Sequence, residues 1–468
     1  MTVANPRLRR SLHFSVSSGA LAAGLSLMAS PARADCQLEF SIPNIIFVCS
    51  GSNTTAQAVS NAGITDVRTL AGFSVDTTTT GGNALDIQGL GRILYRDTFA
   101  SPLTSPDAAL SVWSTGDAGF LGSIGVETNG DITGRTGILA TNAGSGAVEI
   151  TSTGNILGTS GPGIQATGSG MGMTINVANV TSTGSAFAGF GIYAQNGGGG
   201  TNVFASGDVV SAAGTGIAII NDVTASEAFV SVNNVTGGTN GIRILNNGMF
   251  GTAVVATGAV AGTNGTGIFV ESNVNGPGAA VTIAAVDVTG GVDGIRILNN
   301  GQGSFSPART VIATTGDVIG GSGDGIGVAN GAATTDLDIT AVNVTGGNLG
   351  IVARNDGTGR TRIVATGRVS GGIVGITASN GTSTTDLTVE AVDVTGGQRG
   401  IFAANFGTGT TRVTSTGTVA STAAGGSGIL VANGANGSDV SVAVADITGW
   451  DGIIVQNFGT GATVVTST

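Results

Sequence analysis

The chain lacks several residue types on which common kinds of catalysis depend. It contains no Lys, and its single His, His13, lies near the N-terminus. Charged residues make up 10% of the 468 residues, and aromatic residues make up 4%. Schiff-base and other lysine-based catalysis are therefore excluded, and a His general base or His metal ligand is excluded from the region after residue 34.

Long apolar runs are also missing after residue 34. No segment of that region has 18 or more consecutive apolar residues, so we expect no transmembrane helix. Residues 1–34 have a basic start without acidic residues, an apolar stretch from about Val16 to Ala29, and small residues up to Ala34. This pattern predicts a secretory signal peptide over residues 1–34, cleaved before Asp35, and therefore an exported protein at the cell surface or outside the cell.

Cysteine is scarce, and its two copies lie close together. Cys36 and Cys49 flank an apolar stretch at the start of the mature chain. In an exported protein we expect them to form a disulfide that pins an N-terminal cap over residues 35–60, with two free thiols as the alternative. The loop is short, and the chain-entropy estimate of its contribution is about 3 kcal/mol.

Basic residues are few relative to acidic ones. The formal net charge is −11, from 17 basic and 28 acidic residues. Four of the Arg lie in residues 1–34, which leaves 13 against 28 acids and a net charge of −15 for the mature chain. Such a surface does not favour binding to nucleic acid or to an anionic membrane.

Glycine, by contrast, is abundant, and it marks a repeat. The chain has 83 Gly, and the pair Gly-Ile recurs at 24- to 31-residue intervals from Gly137 to Gly452. In eleven of thirteen copies the fifth residue after the Gly is Asn, and Gly168 and Ser272 are the exceptions. These Asn residues are Asn142, Asn196, Asn221, Asn246, Asn299, Asn330, Asn355, Asn380, Asn405, Asn433 and Asn457. A fixed period of this length indicates a repeat architecture.

One copy of the repeat reads as a strand followed by a corner. In a strand, Ile242, Ile244 and Asn246 share one face, which we interpret as the inward face. Two further short strands, such as those around Arg362–Ala365 and Arg368–Ser370, complete about 25 residues without a helical pattern. The sequence therefore predicts an all-β fold, a parallel β-helix of about 13 regular rungs with irregular N-terminal rungs. The expected parts are the cap, degenerate rungs over 61–135, and regular rungs over 136–468.

The recurring Asn predicts a structural role rather than a catalytic one. Identical inward Asn side chains on successive rungs can bond to each other and to the corner backbone. The alternative is that Asn appears only because it tolerates turn geometry. Endings of the type Thr-Gly-x-Val alternate with Val-Thr-Gly-Gly, so the repeating unit is a pair of rungs. The last rung breaks off at Thr468, and we expect the chain to be part of a longer protein.

Acidic residues recur in two rows but do not predict a metal site. One row contains Asp287, Asp393 and Asp446, and the other contains Asp336, Asp386 and Asp439; Asn234 and Asn343 occupy equivalent places in the first. We place neighbours of a row on every second rung, about 10 Å apart, too far to share the six to eight ligands of Ca²⁺. We therefore expect solvated polar rows, and no metal or cofactor.

Outward residues are the candidates for a contact surface. Tyr193, Phe269 and Phe402 are outward aromatic residues, and an insertion near Phe305 is expected to project as a loop. Such residues could form an adhesive or self-associating stripe, or could reflect β-propensity alone. Arg residues cluster in the same half of the chain and could hold an acidic glycan, or could be scattered surface charges; the candidates are Arg354, Arg360, Arg362 and Arg412.

The signal peptide, the Cys-flanked segment and rungs such as Gly350–Gly359 and Gly400–Gly409 together resemble the passenger region of Gram-negative type V autotransporters. The resemblance implies a surface rod, often adhesive, displayed through a C-terminal outer-membrane barrel that this sequence does not contain. We therefore expect a non-enzymatic protein that makes contact with host or abiotic surfaces, with glycans or with other copies of the chain. The alternatives are a β-helical polysaccharide lyase or glycoside hydrolase, and an S-layer or filamentous structural protein.

Overall fold

The computed structural model describes residues 35–41, 44–116, 122–186, 188–274, 276, 278, 280–301 and 308–467. The proposed signal peptide lies outside these residues. The described part of the chain is all-β, with forty strands and no helix. Its strands form two stacked sheets, and each circuit of the chain adds one layer to both.

The first sheet, which we call the Gly-Ile sheet, contains sixteen parallel strands in chain order. They are Gln57–Asn61, Leu85–Gly89, Ala108–Ser114, Thr136–Asn142, Ile164–Gly168, Ile192–Asn196, Ile217–Asn221, Ile242–Asn246, Ile268–Ser272, Ile295–Asn299, Ile326–Asn330, Leu349–Asn355, Val374–Asn380, Arg399–Asn405, Ser427–Asn433 and Asp451–Asn457. Each Ile lies beside the corresponding Ile of the next rung, as Ile351, Ile376 and Ile401 do. Sixteen layers at about 4.8 Å give a stack roughly 70 Å long.

The second sheet, which we call the bent sheet, contains twenty-four strands. They are Asp35–Ser41, Asn44–Ser50, Ser52–Asn53, Thr65–Thr69, Ser74–Asp76, Ile93–Asp97, Leu103–Thr104, Ile124–Thr128, Ile132–Gly134, Val148–Gly158, Gly172–Ser182, Gly199–Ser211, Ala225–Gly237, Thr252–Gly262, Val281–Gly290, Ala308–Thr314, Asp317–Gly320, Thr334–Ala341, Asn343–Gly346, Thr361–Gly371, Leu387–Gly396, Thr411–Ser421, Val440–Thr448 and Thr463–Ser467. All pairs are parallel except Asp35–Ser41 with Asn44–Ser50.

The architecture confirms the predicted parallel β-helix and changes two details. The second and third strands of a rung are often one continuous strand, as in Thr361–Gly371, with a register shift between Ala365 and Arg368. The solenoid also starts earlier than expected, because Gln57–Asn61 already pairs with Leu85–Gly89. Residue 60 therefore does not separate a cap from the rungs.

The core follows the predicted strand parity. Ile242, Ile244 and Asn246 are fully buried, whereas Arg243 and Leu245 between them are partly exposed. Successive rungs repeat this arrangement, so the interior contains rows of Ile, Val and Ala, with a buried Asn at the end of most Gly-Ile strands from Thr136 onward. Each fully buried Ile contributes roughly 1.5–3 kcal/mol to folding.

The Gly of each Gly-Ile pair is required by close packing between rungs. At Gly400 an added Cβ would lie 2.5 Å from the Val419 Cγ1 atom and 2.7 Å from the carbonyl oxygen of Gly428 on the next rung. A methyl group does not fit between these atoms. Gly452 is the exception, since its nearest atom would be 3.9 Å away.

The buried Asn side chains fall into two classes that alternate from rung to rung. In the first class the Oδ1 atom accepts the N–H of the residue two positions later, as Asn355 does from Gly357 at 3.1 Å. This class contains Asn142, Asn196, Asn246, Asn299, Asn355, Asn405 and Asn457. In the second class Oδ1 accepts a Thr hydroxyl from the preceding rung, as Asn380 does from Thr361 at 2.6 Å. The members are Asn221, Asn330, Asn380 and Asn433.

This alternation gives the two-rung unit a physical basis. The buried position that opens each bent-sheet strand alternates between Thr and an apolar residue: Thr361 lies beside Leu387, which lies beside Thr411. The hydroxyl of each such Thr donates a hydrogen bond to the Asn Oδ1 atom of the rung that follows. Gly168 and Ser272 both occupy second-class positions, so the two departures from Asn fall in one class. At Gly168 the preceding rung carries Val148 instead of Thr, and no hydroxyl is left unpaired.

The expected Asn-to-Asn ladder is mostly absent. Among the described residues, Asn221 bonds to Asn246 at 3.4 Å and Asn433 bonds to Asn457 at 2.9 Å. Elsewhere the amide nitrogen donates to carbonyl oxygens of the corner, such as Asn380 to Asp386 at 3.0 Å. The corner carbonyls and the Thr hydroxyl compete successfully for the side chain, so register between rungs is set by Asn–backbone and Asn–Thr bonds.

The N-terminal rungs are held differently. Cys36 and Cys49 form a disulfide across the antiparallel pair of strands, and the second of these strands stacks on Thr65–Thr69. Asp97, which is 2% exposed, accepts the Thr69 hydroxyl at 2.8 Å and the backbone N–H groups of Ser101 and Gly130 at 3.0 Å. One carboxylate therefore joins three successive rungs.

Candidate contact face

The outward side of the Gly-Ile sheet presents two columns of side chains. The residue after each Ile forms the first column, and the residue before each Asn forms the second, because alternate residues of a strand point to opposite sides. Tyr193, Phe269 and Phe402 all lie in the first column and are partly exposed. Arg354 lies in the second column, on the same face. The structure thus places four of the predicted contact residues on one side of the solenoid.

The later rungs carry an apolar ridge on this face. Phe402, Leu430 and Ile454 are in register on three successive strands, so their side chains are neighbours. Phe406 and Phe458 lie at the adjoining corner and are 50% and 70% exposed. We use the term apolar ridge for these five residues. Large exposed apolar groups that lie side by side mark contact sites on many soluble proteins.

The bent sheet has a different outward surface on the first rung of the ridge and on the two rungs before it. Its outward positions carry Arg362, Thr388, Glu390 and Arg412, with Val364 as an apolar member. Arg362 and Glu390 form an ion pair at 2.9 Å. The apolar ridge therefore lies on the Gly-Ile sheet, whereas the ion pair of Arg362 with Glu390 lies on the bent sheet of the two rungs before it.

The Arg residues that cluster in sequence do not form one site. Arg354 lies on the Gly-Ile sheet, where it pairs with Asp356 at 2.8 Å. Arg360 lies at the corner beyond it and pairs with Asp338 at 3.5 Å, while Arg362 and Arg412 are on the bent sheet. The chain turns a corner between these positions, so residues close in sequence face different directions. Their guanidinium groups are not assembled to hold one acidic glycan.

Two other predicted contact residues need separate comment. Phe305 lies outside the described residues. Phe269 stands between Arg243 and Arg296 in the first column, so it is an isolated aromatic side chain flanked by charged ones. It is therefore not part of the apolar ridge.

A groove surrounds Tyr193 on the earlier rungs of the same face. It encloses about 450 Å³ and is lined by residues of two strands and two corners.

Four outward side chains form the floor of the groove at Tyr193. Gln165 lies beside Tyr193, and Thr167 lies beside Gln195, on two paired strands. The Tyr193 hydroxyl donates to the Gln195 Oε1 atom at 3.1 Å. The Phe190 ring lies 5.2 Å from the Tyr193 ring, tilted by 50°. These contacts fix the aromatic ring in one orientation.

Corner residues of neighbouring rungs form the walls of this groove. They include Arg135 and Ser160 on one side and Ala188 on the other. Arg135 is exposed and forms no ion pair with any described residue. Burial and the charge of Asp222 raise the pKa of Tyr193, with a smaller opposing contribution from Arg243, so its hydroxyl remains a hydrogen-bond donor.

Sequence reasoning identified Tyr193 but missed the residues around it. Gln165, Phe190 and Arg135 belong to different rungs and meet only when the rungs stack. The available signal was the Phe190-Gly-Ile-Tyr193 segment, which places two aromatic residues three positions apart in a chain with 4% aromatic residues.

A smaller hollow of about 170 Å³ lies farther along the face, around Gly327. Gly327 occupies the first column between Arg296 and Val352, so a side chain is missing there. Burial and the nearby Asp293 raise the pKa of Asp324, which lines this hollow. Arg296 pairs with Asp293 at 3.3 Å, so the local charges are largely matched.

The acidic rows hold rungs together. Asp393 accepts the backbone N–H of Thr418 at 2.9 Å, and Asp386 accepts that of Thr410 at 2.7 Å. A Cβ added at Gly417 or Gly409 would lie 2.3 or 2.4 Å from the corresponding carboxylate oxygen. The Gly of the Thr-Gly-x-Val ending is therefore needed because an Asp or Asn of the preceding rung occupies its side-chain space.

The first row contains members that the sequence analysis did not include. Asp287 and Asp317 lie on successive rungs, and the N–H of Asp317 donates to Asp287 at 2.8 Å. The row is thus occupied on successive rungs at this point, whereas Ala259, Arg368 and Thr418 separate its members elsewhere, as a spacing of two rungs requires. Within the described ranges, no group of three or more His, Cys, Asp or Glu side chains is arranged to hold a metal ion. The same part of the chain has no helix long and apolar enough to cross a membrane.

Comparison with known proteins found no matching family model, no matching curated protein and no matching solved structure.

Proposed function

We propose that this protein is an exported β-helical rod that makes non-enzymatic contact with a surface through the outward side of its Gly-Ile sheet. The observation that carries the proposal is the apolar ridge on the Gly-Ile sheet, where three apolar side chains lie in register and two Phe side chains are exposed at the corner. The expected signal peptide and the resemblance to autotransporter passengers support placement of the rod at the cell surface.

The construction of the rod suits a contact role. Each rung is joined to its neighbours by buried Asn and Thr side chains and by Asp or Asn side chains at the corners. The outward side chains of Phe402, Leu430 and Ile454 make none of these hydrogen bonds. These positions can therefore vary without loss of the fold. A regular scaffold with variable outward residues presents many contact points along one line.

Adsorption measurements test the proposal directly. Purified residues 35–468 are applied to methyl-terminated and hydroxyl-terminated layers on a quartz crystal microbalance. We expect stronger retention on the methyl-terminated layer, because the ridge removes apolar area from water there. The double variant Phe402→Ser with Leu430→Ser should lose most of this difference.

The matched control is Val364→Ser, which changes a partly exposed apolar residue on the bent sheet. It should leave retention unchanged. Equal loss in the control and the ridge variant, with both folded by circular dichroism, would show that adsorption does not use the Gly-Ile face.

A further inference from the structure

The groove at Tyr193 combines an ordered aromatic ring with polar groups that have no partner. Gln165 makes no side-chain hydrogen bond with any described residue, and the Gln195 amide nitrogen is free because only its oxygen receives the Tyr193 hydroxyl. The Arg135 guanidinium is also unpaired. An aromatic surface and unpaired donors and acceptors thus meet in one groove.

From this arrangement we infer that the groove is a binding site for a pyranose saccharide. The inference rests on the proposed contact function and names a ligand for part of the same face. A sugar ring has C–H groups that pack on an aromatic face, whose π-electrons carry partial negative charge. Its hydroxyls each donate and accept, which matches amide groups that also do both.

The groove also has a suitable size and charge. Its volume of about 450 Å³ lies within the range of roughly 300–1,000 Å³ that is usual for small-molecule sites. An apolar peptide is a poorer match, since it would cover Gln165, Gln195 and Arg135 without supplying partners for their polar groups. Nucleic acid is a poorer match, since the groove offers one Arg for its phosphates, while its unpaired amide groups suit sugar hydroxyls.

Arg135 gives the site a way to select among saccharides. Its planar fork can donate two parallel hydrogen bonds to the carboxylate of a uronic acid, or single bonds to the hydroxyls of a neutral sugar. Both ligands share the stacked ring and the amide contacts. They differ in how much their binding depends on Arg135.

The test is a titration of purified residues 35–468 with cellohexaose and with hexagalacturonate, followed by NMR and calorimetry. We expect at least one of them to bind, and Tyr193→Ala to weaken that binding by about tenfold or more. Tyr193→Phe keeps the ring and should lose about threefold. Gln165→Ala should lose about fivefold.

Phe269→Ala is the matched control, since it removes an aromatic residue from the same column outside the groove. It should leave binding unchanged. Arg135→Ala should reduce hexagalacturonate binding more than cellohexaose binding. Absence of binding for both oligosaccharides, or binding that survives Tyr193→Ala, overturns the inference.

These outcomes are separable from those of the adsorption experiment. The ridge variant with Phe402→Ser and Leu430→Ser leaves the groove intact, and Tyr193→Ala leaves the ridge intact. Adsorption that persists without saccharide binding overturns only the saccharide site. Saccharide binding without adsorption overturns the proposed use of the ridge and leaves the site in place.

Discussion

The rungs before residue 135 and those after it form the same stack with different side chains. The earlier rungs bury large residues, including Phe73, Tyr95 and Leu110, whereas the later rungs bury rows of Ile, Val and Ala. In the earlier part the end of the Gly-Ile strand carries Asn61, Gly89 and Ser114 in the places where Asn recurs later. The cross-section therefore does not depend on one motif.

The two regions also differ in how their rungs are joined. Asp97 alone receives hydrogen bonds from three successive rungs, and the neighbouring Tyr95 hydroxyl is buried without a partner. In the later rungs the same task is divided among many buried Asn and Thr side chains, which are neutral, and exposed Asp side chains at the corners. A single charged junction concentrates the effect of a mutation, and a repeated neutral junction distributes it.

Loss of Asp97 should be the most damaging of the changes considered. Asp97→Ala leaves the Thr69 hydroxyl and the N–H groups of Ser101 and Gly130 without their acceptor, and we expect a loss of about 3 kcal/mol or more. Hydrogen exchange should accelerate in Thr65–Thr69 and Ile124–Thr128. In a solenoid, each rung contacts only its neighbours, so protection of Ile401 should stay unchanged.

The exposed Asp131 supplies the control for that experiment. It accepts the N–H of Asn155 at 2.9 Å at the surface, where water can replace it. Asp131→Ala should cost less than about 1 kcal/mol. Equal losses in the two variants would contradict the special role given to Asp97.

A methyl group added between regular rungs should have the next largest effect. Gly400→Ala places a Cβ within 2.7 Å of the Gly428 carbonyl oxygen, and we expect a loss of about 2 kcal/mol. Gly452→Ala has 3.9 Å of space and serves as the matched control. Thermal unfolding of both variants checks the prediction, and a similar change in melting temperature for both would contradict it.

The Asn–Thr junction should show energetic coupling of about 1 kcal/mol. Asn380→Gly removes the acceptor of the Thr361 hydroxyl, and Thr361→Val removes the donor. The double variant reproduces the natural pairing of Val148 with Gly168 on adjacent rungs. We expect it to be more stable than the sum of the single effects, in a double-mutant cycle measured by urea unfolding. Strict additivity would remove the explanation offered for the two-rung unit.

The fold could be predicted because strand parity is visible in a single copy of the repeat. Ile242, Ile244 and Asn246 alternate with Arg243 and Leu245, and this order alone gives the inward face. The Asn–Thr bonds could not be predicted in the same way. Thr361 and Asn380 are separated by 19 residues, and their contact depends on the register of two stacked rungs.

The candidate site was less predictable for a related reason. Tyr193 could be placed on an outward face from parity, but the groove also needs Arg135 and Gln165 from other rungs. The Arg cluster shows the opposite case, in which sequence proximity predicts a site that the fold does not assemble. Arg354 and Arg362 are close in sequence but lie on different faces. Sequence separation does not predict spatial proximity across a corner, and proximity between residues of different rungs depends on how the rungs stack.

The smallest expected effect is a loss of stability at low pH. It should occur at the buried Asp97 junction and not at the buried Asn–Thr junctions. Burial opposes the ionisation of Asp97, but hydrogen bonds from Thr69, Ser101 and Gly130 outweigh it and lower its pKa. The stabilisation is therefore complete above the pKa of an unfolded Asp, about 3.9, and is lost as the pH falls through the lower folded value. Exchange protection of Thr65–Thr69 should decline over this range in the wild type. In Asp97→Asn the decline should be weaker, and protection of Arg399–Asn405 should not follow Asp97 in either protein.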